Sequence, residues 1–194
     1  MTSKDTKQEI AELALKCFSQ FGFSKTNMSL ISEYTGYSRV TVHKYFKNKR
    51  VLFRNVVQLC MTNSIGEAES RLQEIDVKDP WDVIEEYLVA SGKKVFENVH
   101  DDYILKDLHN AINELAEDLV DSKQKITIQF IQAELSRGVK ENLIALTPIQ
   151  TTPEELARLL DYCYLGIMRN ASVQHIKGEL HHLLRVYRQA TQVA

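Results

Sequence analysis

The chain is short of helix breakers: three prolines and seven glycines in 194 residues. With Leu, Ala, Glu, Lys and Gln plentiful, that scarcity predicts an all-α protein. No apolar run approaches the roughly 18 residues that a membrane helix requires. Residues 1–9 hold no apolar core of a secretory leader. A cytoplasmic chain with no membrane partner is therefore expected. Cysteine is sparse, odd in number and scattered, at Cys17, Cys60 and Cys163. That spacing gives neither a disulfide framework nor a zinc site, so free thiols in a reducing compartment are expected, with no metal and no cofactor. Nucleophile–base patterns and phosphate-binding loops are missing too, and an enzyme is not expected.

One further absence is local. Residues 34–54 contain no Asp or Glu but carry Arg39, Lys44, Lys47, Lys49, Arg50 and Arg54. The overall net charge of −2 conceals +6 over residues 1–54 and −8 over residues 55–194. A basic first quarter on an acidic remainder reads as a nucleic-acid contact surface joined to a second function.

The patterning of that quarter is specific. Ile10, Leu13, Ala14, Cys17, Phe18 and Phe21 form one helical stripe over residues 5–22, closed by Gly22. A short second helix follows, capped by Thr26 or Asn27 and carrying Met28, Ile31 and Tyr34. Gly36 supplies the sharp turn, since only glycine takes positive φ without steric cost. Ser38 is placed to cap a third helix bearing Val42, Tyr45 and Phe46. Two short helices around a glycine turn make a helix-turn-helix, whose second helix can lie in the DNA major groove.

These residues resemble the TetR (tetracycline-repressor) family of bacterial transcriptional regulators. The match runs over residues 8–53 through Phe18, Gly22, Thr26, Ile31, Gly36, Ser38, Thr41, Tyr45, Phe46, Lys49 and Leu52. His43 stands where the family usually has a tyrosine that touches phosphate, and Ser32 and Thr35 stand at usual alanine positions. The resemblance implies a three-helix helix-turn-helix domain at 1–54. It also implies a helical ligand-binding and dimerisation bundle at 55–194, about nine helices in all. It further implies a ligand-responsive repressor that binds a pseudo-palindromic double-stranded operator as a homodimer and is released by a small-molecule effector. The alternative is a helical small-molecule-binding or protein-interaction module that does not bind DNA.

Arg39, Val40, Thr41 and Lys44 are the candidates for reading base edges, because arginine pairs bidentately with guanine and small apolar groups meet the thymine methyl. Ser38, His43, Tyr45, Lys47 and Lys49 are expected on the phosphate backbone, with Thr26 among the DNA contacts. Val42, Phe46 and Ile31 read as core.

Beyond residue 54 the signals are coarser. A helix is expected from Lys49 to about residue 75, with a bend or end at Gly66. Others are expected over 80–98 from the Asp79–Pro80 start, from Asp101 to about 110, and over 112–140 with a break at Gly138. After a loop over 142–151 come a helix opening at Thr152–Pro153 and a last one over 176–192. These two C-terminal helices carry enough apolar surface to pair with a second copy. Trp81, Tyr87, Phe96, Tyr103, His109, Phe130, Tyr162 and Met168 are candidate pocket residues, although aromatic and Met side chains at helical spacing usually belong to a core. His181 and His182 have no partners at metal-ligand spacing.

Overall fold

A computed structural model describes residues 3–92, 95–96, 98–170 and 173–193. The described residues form nine α-helices: α1 (Ser3–Lys25), α2 (Met28–Thr35), α3 (Arg39–Tyr45), α4 (Lys49–Glu74), α5 (Pro80–Ser91), α6 (Asp102–Leu115), α7 (Glu117–Lys140), α8 (Pro153–Asn170) and α9 (Val173–Ala190). A single 3-10 turn covers Thr147–Ile149. The all-α expectation holds.

Contacts gather the chain into two compact units. Unit 1 is Met1–Asn63 with Lys94–Val120, and unit 2 is Ser64–Lys93 with Asp121–Ala194. The contacts thus divide differently from a boundary at residue 54. Unit 1 takes in the first part of α4 and the whole of α6, because α6 supplies Leu108, Ala111 and Ile112 to the same core as Phe18 and Phe53. Both α4 and α7 run unbroken from one unit into the other.

In unit 1, Phe18 meets Phe53 edge-on at 5.0 Å, and Phe96 stacks on Phe53 at 5.9 Å. Offset and edge-to-face pairs of this kind add about 0.5–1.5 kcal/mol beyond their area burial. Gly22 interrupts α1 with φ 78° and ψ 172°. The positive φ favours glycine, and a Cβ there would lie 2.6 Å from a carboxylate oxygen of Asp107 on α6. That carboxylate accepts the Ser24 amide at 2.8 Å and also the Ser24 hydroxyl. Burial pushes the Asp107 carboxyl up, but bonds from Ser24 and the Phe23 amide and the charge of Lys49 carry it below the ordinary aspartate value. Farther along, Arg54 of α4 donates to the last carbonyl of α6, Leu115, at 2.9 Å and makes a two-pronged pair with Asp118. A guanidinium at that end offsets the negative pole of α6.

Unit 2 is built on Trp81, Ile84, Leu88, Ile131, Leu135, Leu156, Leu160, Leu180 and Leu184. Asp79 caps α5 by accepting the Trp81 amide at 2.8 Å, with Pro80 in the first turn. Thr152 and Glu155 open α8 with a reciprocal box: the Glu155 amide donates to the Thr152 hydroxyl at 3.2 Å, and the Thr152 amide to the Glu155 carboxylate at 3.0 Å. The indole N–H of Trp81 donates to the Thr191 hydroxyl at 3.0 Å, tying α5 to the end of α9.

Four boundaries differ from expectation. α5 stops at Ser91, not 98, and the Ser91 carbonyl is taken by the Lys123 ammonium at 2.7 Å. α6 runs on to Leu115, and the break before α7 falls at Ala116, whose buried backbone leaves the helical region at φ −143°. Neither Gly66 nor Gly138 breaks its helix. Gly66 is exposed, whereas Gly138 is where Pro80 and Ile144 press against α7. The thiols are free, as expected; Cys17 is buried, and burial pushes the Cys60 thiol up to about 11, which keeps it protonated and unreactive.

Three stability outcomes follow. Gly138→Ala sets a Cβ 2.4 Å from Pro80 and is expected to cost about 1–3 kcal/mol. Gly66→Ala meets nothing within 4 Å and is expected to add about 0.5–1 kcal/mol; urea unfolding of both variants reads the opposite signs. For Asp107 the folded pKa is depressed, so its stabilisation is present above the ordinary aspartate value and is lost as pH falls through the folded one. Asp107→Asn is therefore expected to be less stable than the parent at neutral pH, with the gap closing below about pH 4 in denaturation curves.

Candidate nucleic-acid interface

The helix-turn-helix of unit 1 is assembled by short-range chemistry. Asn27, not Thr26, caps α2, its side chain accepting the amides of Ser29 at 3.0 Å and Leu30 at 2.9 Å. Gly36 ends α2 in the left-handed region at φ 73°, its amide returning to the Glu33 carbonyl. Two residues on, Ser38 caps α3, accepting the Thr41 amide at 3.1 Å, and the two hydroxyls lie 2.9 Å apart. Such a cap contributes about 1 kcal/mol. The Tyr37 hydroxyl donates to Glu9 of α1 at 2.7 Å, anchoring the turn to the first helix.

The α3 helix has two faces. Val42 and Phe46, one turn apart, are fully buried in the unit 1 core. Arg39, Val40, His43 and Lys44 are exposed, as is Lys47 just beyond the helix, and Thr41 and Tyr45 are partly covered. Val40 is 81% exposed. An apolar side chain held in water at the start of a cationic helix lowers no folding free energy and is available for contact. The Lys44 ammonium sits 5.7 Å from the Tyr45 ring.

Not all the basic residues face outward. Lys49 points into unit 1: its ammonium donates to the Phe23 carbonyl at 2.7 Å and lies 4.1 Å from the Phe23 ring. Burial lowers its pKa, against the raising pull of Asp107. Lys49 is thus a strut between α4 and the end of α1, and the expected phosphate contact through it is corrected. Thr26 is corrected in the same way. It is 2% exposed, and its hydroxyl donates to the Gly22 carbonyl at 2.6 Å, closing the turn after α1. Arg50 pairs with Glu114 at 2.7 Å and Arg54 with Asp118. The outward cations of the region are therefore Arg39, Lys44 and Lys47.

The eight pocket candidates divide between the two units. Phe96, Tyr103 and His109 belong to unit 1, and Trp81, Tyr87, Phe130, Tyr162 and Met168 to unit 2. Tyr103 is 89% exposed and Tyr162 65%, so neither lines an enclosed site. Trp81 and Phe96 are core, and Met168 packs half-buried against the core of unit 2. Tyr87 stacks on Phe130 with ring centroids 3.8 Å apart. Sequence reading missed Lys123, which lies in the polar run 121–125 and looks there like solvated helix surface; only its partial burial and its bonds to Ser91 and Ser64 in unit 2 set it apart. Among the described residues no cluster of His, Cys, Asp or Glu could hold a metal ion, and no helix is long and apolar enough to cross a membrane.

With that geometry in place, comparison with known proteins is direct. The family described as bacterial regulatory proteins, tetR family, matches residues 10–56. The HTH-type transcriptional regulator AcrR of Shigella flexneri is 36% identical over 87 residues, covering 45% of this chain but only 40% of AcrR. An uncharacterized HTH-type transcriptional regulator of Bacillus subtilis, YhgD, is 25% identical over 177 residues, covering 89% of this chain and 87% of its own. Among solved structures, SmeT, the repressor of the Stenotrophomonas maltophilia multidrug efflux pump SmeDEF, superposes with a TM-score of 0.68 at 20% identity, covering 96% of this chain and 90% of SmeT. A putative TetR-family regulator from Rhodococcus sp. reaches 0.72 at 13% identity, covering 95% and 99%. Residues 10–56 thus carry the helix-turn-helix sequence of the tetR family of bacterial regulatory proteins, and the fold along the chain is the one seen in TetR-family regulators.

Proposed function

We propose that this regulator is a repressor that binds a pseudo-palindromic operator as a homodimer and releases it when a small molecule occupies the larger part of the chain. The observation that carries the DNA reading is the division of α3. Val42 and Phe46 are committed to the core, while Arg39, Val40 and Lys44 stand exposed on the opposite side. Arg39 and Val40 suit base edges, and Lys44, Lys47 and His43 suit phosphates. A helical interaction module with no nucleic-acid partner would have no use for that cationic face.

The homodimer is supported by unit 2. Leu159, Tyr162 and Leu165 on α8 are 46%, 65% and 40% exposed, with Gly166 beside them, and Val186 on α9 is 56% exposed. A stripe of that kind on the two C-terminal helices fits an isologous partner face. The effector reading draws on likeness: SmeT is described as a repressor and has been solved as a complex with triclosan. The lever is α4, which starts beside the reading helix and continues into unit 2. A coupling of about 1–3 kcal/mol would change operator affinity roughly 5- to 150-fold.

Three measurements bear on this. Two copies of Lys44 and Lys47 neutralise about four phosphates, giving a slope of log affinity on log salt of roughly −4. A flat salt titration in a mobility-shift assay would refute the DNA reading. Arg39→Ala is expected to lower the ratio of operator to random-duplex affinity by about 5- to 150-fold. In sedimentation, Tyr162→Glu is expected to yield folded monomers that bind the operator weakly; a dimer of unchanged stability would overturn the α8–α9 interface.

A further inference from the structure

Unit 2 contains a positive charge without a counter-charge. The Lys123 ammonium, on α7, donates to the Ser91 carbonyl at 2.7 Å and to the Ser64 hydroxyl at 3.2 Å, both neutral groups. No carboxylate within ion-pair distance of it is found among the described residues. Burial lowers its pKa, and no acid acts to raise it. The buried acid of this unit, Asp161, accepts the Gln124 side-chain amide at 2.7 Å instead.

Around the same end of α5 are two buried hydroxyls. Tyr87 and Ser91 lie one turn apart, on one face of the helix. They are 2% and 0% exposed, and neither hydroxyl makes a hydrogen bond of good geometry, although Thr127 lies beside the Tyr87 hydroxyl and Tyr164 beside that of Ser91. The neighbouring Tyr164 hydroxyl is already spent on the Leu88 carbonyl at 3.2 Å. A buried hydroxyl that is poorly paired destabilises the fold, and so does a half-buried ammonium whose only partners are neutral. Such groups mark the place of something absent from the chain itself. The core of unit 2 includes Leu88, Ile131, Leu160 and the stacked Tyr87–Phe130 pair, with Thr127 and Glu69 as polar neighbours of Tyr87.

We propose that the effector is an anion, a carboxylate carried on an apolar body, seated on the Lys123 ammonium in unit 2 with the hydroxyls of Tyr87 and Ser91 as its further donors. This rests on the reading of unit 2 as the effector unit and names the chemistry of that site. The competing role for Lys123 is purely structural, closing the carbonyl end of α5.

The test uses the full chain and matched probes, titrated by calorimetry: octanoate, octanol and octylammonium, then 2-naphthoate and 2-naphthol. At least one carboxylate is expected to bind tenfold or more tightly than the alcohol with the same body, and octylammonium not at all. Lys123→Met should erase that preference and Lys123→Arg retain most of it. The pair Tyr87→Phe with Ser91→Ala removes two weakly paired hydroxyls and no apolar volume, so it should stay folded and lose carboxylate affinity several-fold. Equal affinity for acid and alcohol, binding by neither, or a preference that survives both Lys123→Met and the double variant, overturns the proposal and leaves Lys123 a helix cap. Operator mobility shifts with the same probes separate the two readings. Carboxylate binding that leaves operator affinity unchanged keeps the anion site and sinks the effector role. Release by the carboxylate but not the alcohol supports both.

Discussion

Where α6 meets the end of α1, a carboxylate occupies the space that the side chain of Gly22 would have filled. Much follows from that close approach. Asp107 fixes Ser24 through its amide and its hydroxyl, Lys49 fixes the carbonyl of the residue before it, and Thr26 closes the same turn from within. The segment that leads into α2 is therefore tied to both α4 and α6. Since α2 and the Gly36 corner set the direction of α3, the exposed face of α3 is held by bonds made well away from it. A larger residue at position 22 would have to move the carboxylate and adopt a backbone conformation that L side chains rarely take.

The sign of the charge on a stretch of sequence and the availability of that charge are separate matters. Six of the residues at 39–54 are Lys or Arg. Three of them are consumed internally: Lys49 by a carbonyl and a ring, Arg50 and Arg54 by acids of the α6–α7 region. Those pairs are mostly exposed, and exposed pairs of this kind contribute at most about 1 kcal/mol each. What they accomplish is selection. They leave Arg39, Lys44 and Lys47 as the outward cations, grouped on one short helix and the residue or two beyond it.

The parts of this fold governed by neighbours in sequence were readable in advance. Gly36, Ser38, Asp79–Pro80 and Thr152–Pro153 announce caps and turns through chemistry that acts within a few residues, and each does so in the structure. The inward face of α3 was equally plain from Val42 and Phe46. What was not readable depends on partners far along the chain. The end of α5 is closed by a lysine on α7, and the break at Ala116 lies between two helices whose apolar periodicities run together. Gly138 looks like a stop but is a point of contact. The same blindness applies to Lys49 and Thr26, whose motif positions say nothing of which way their side chains point. It applies most to Lys123, whose sequence neighbours are all polar.

The composition of unit 1 carries a consequence for anyone treating the first quarter of the chain as a portable cassette. A cut at residue 54 would separate Phe18 and Phe53 from Phe96, Leu108, Ala111 and Ile112, stripping one wall from their core. Swapping recognition heads between related regulators would have to carry residues 94–120 along with the graft, or else redesign a seam of phenylalanines left open to water.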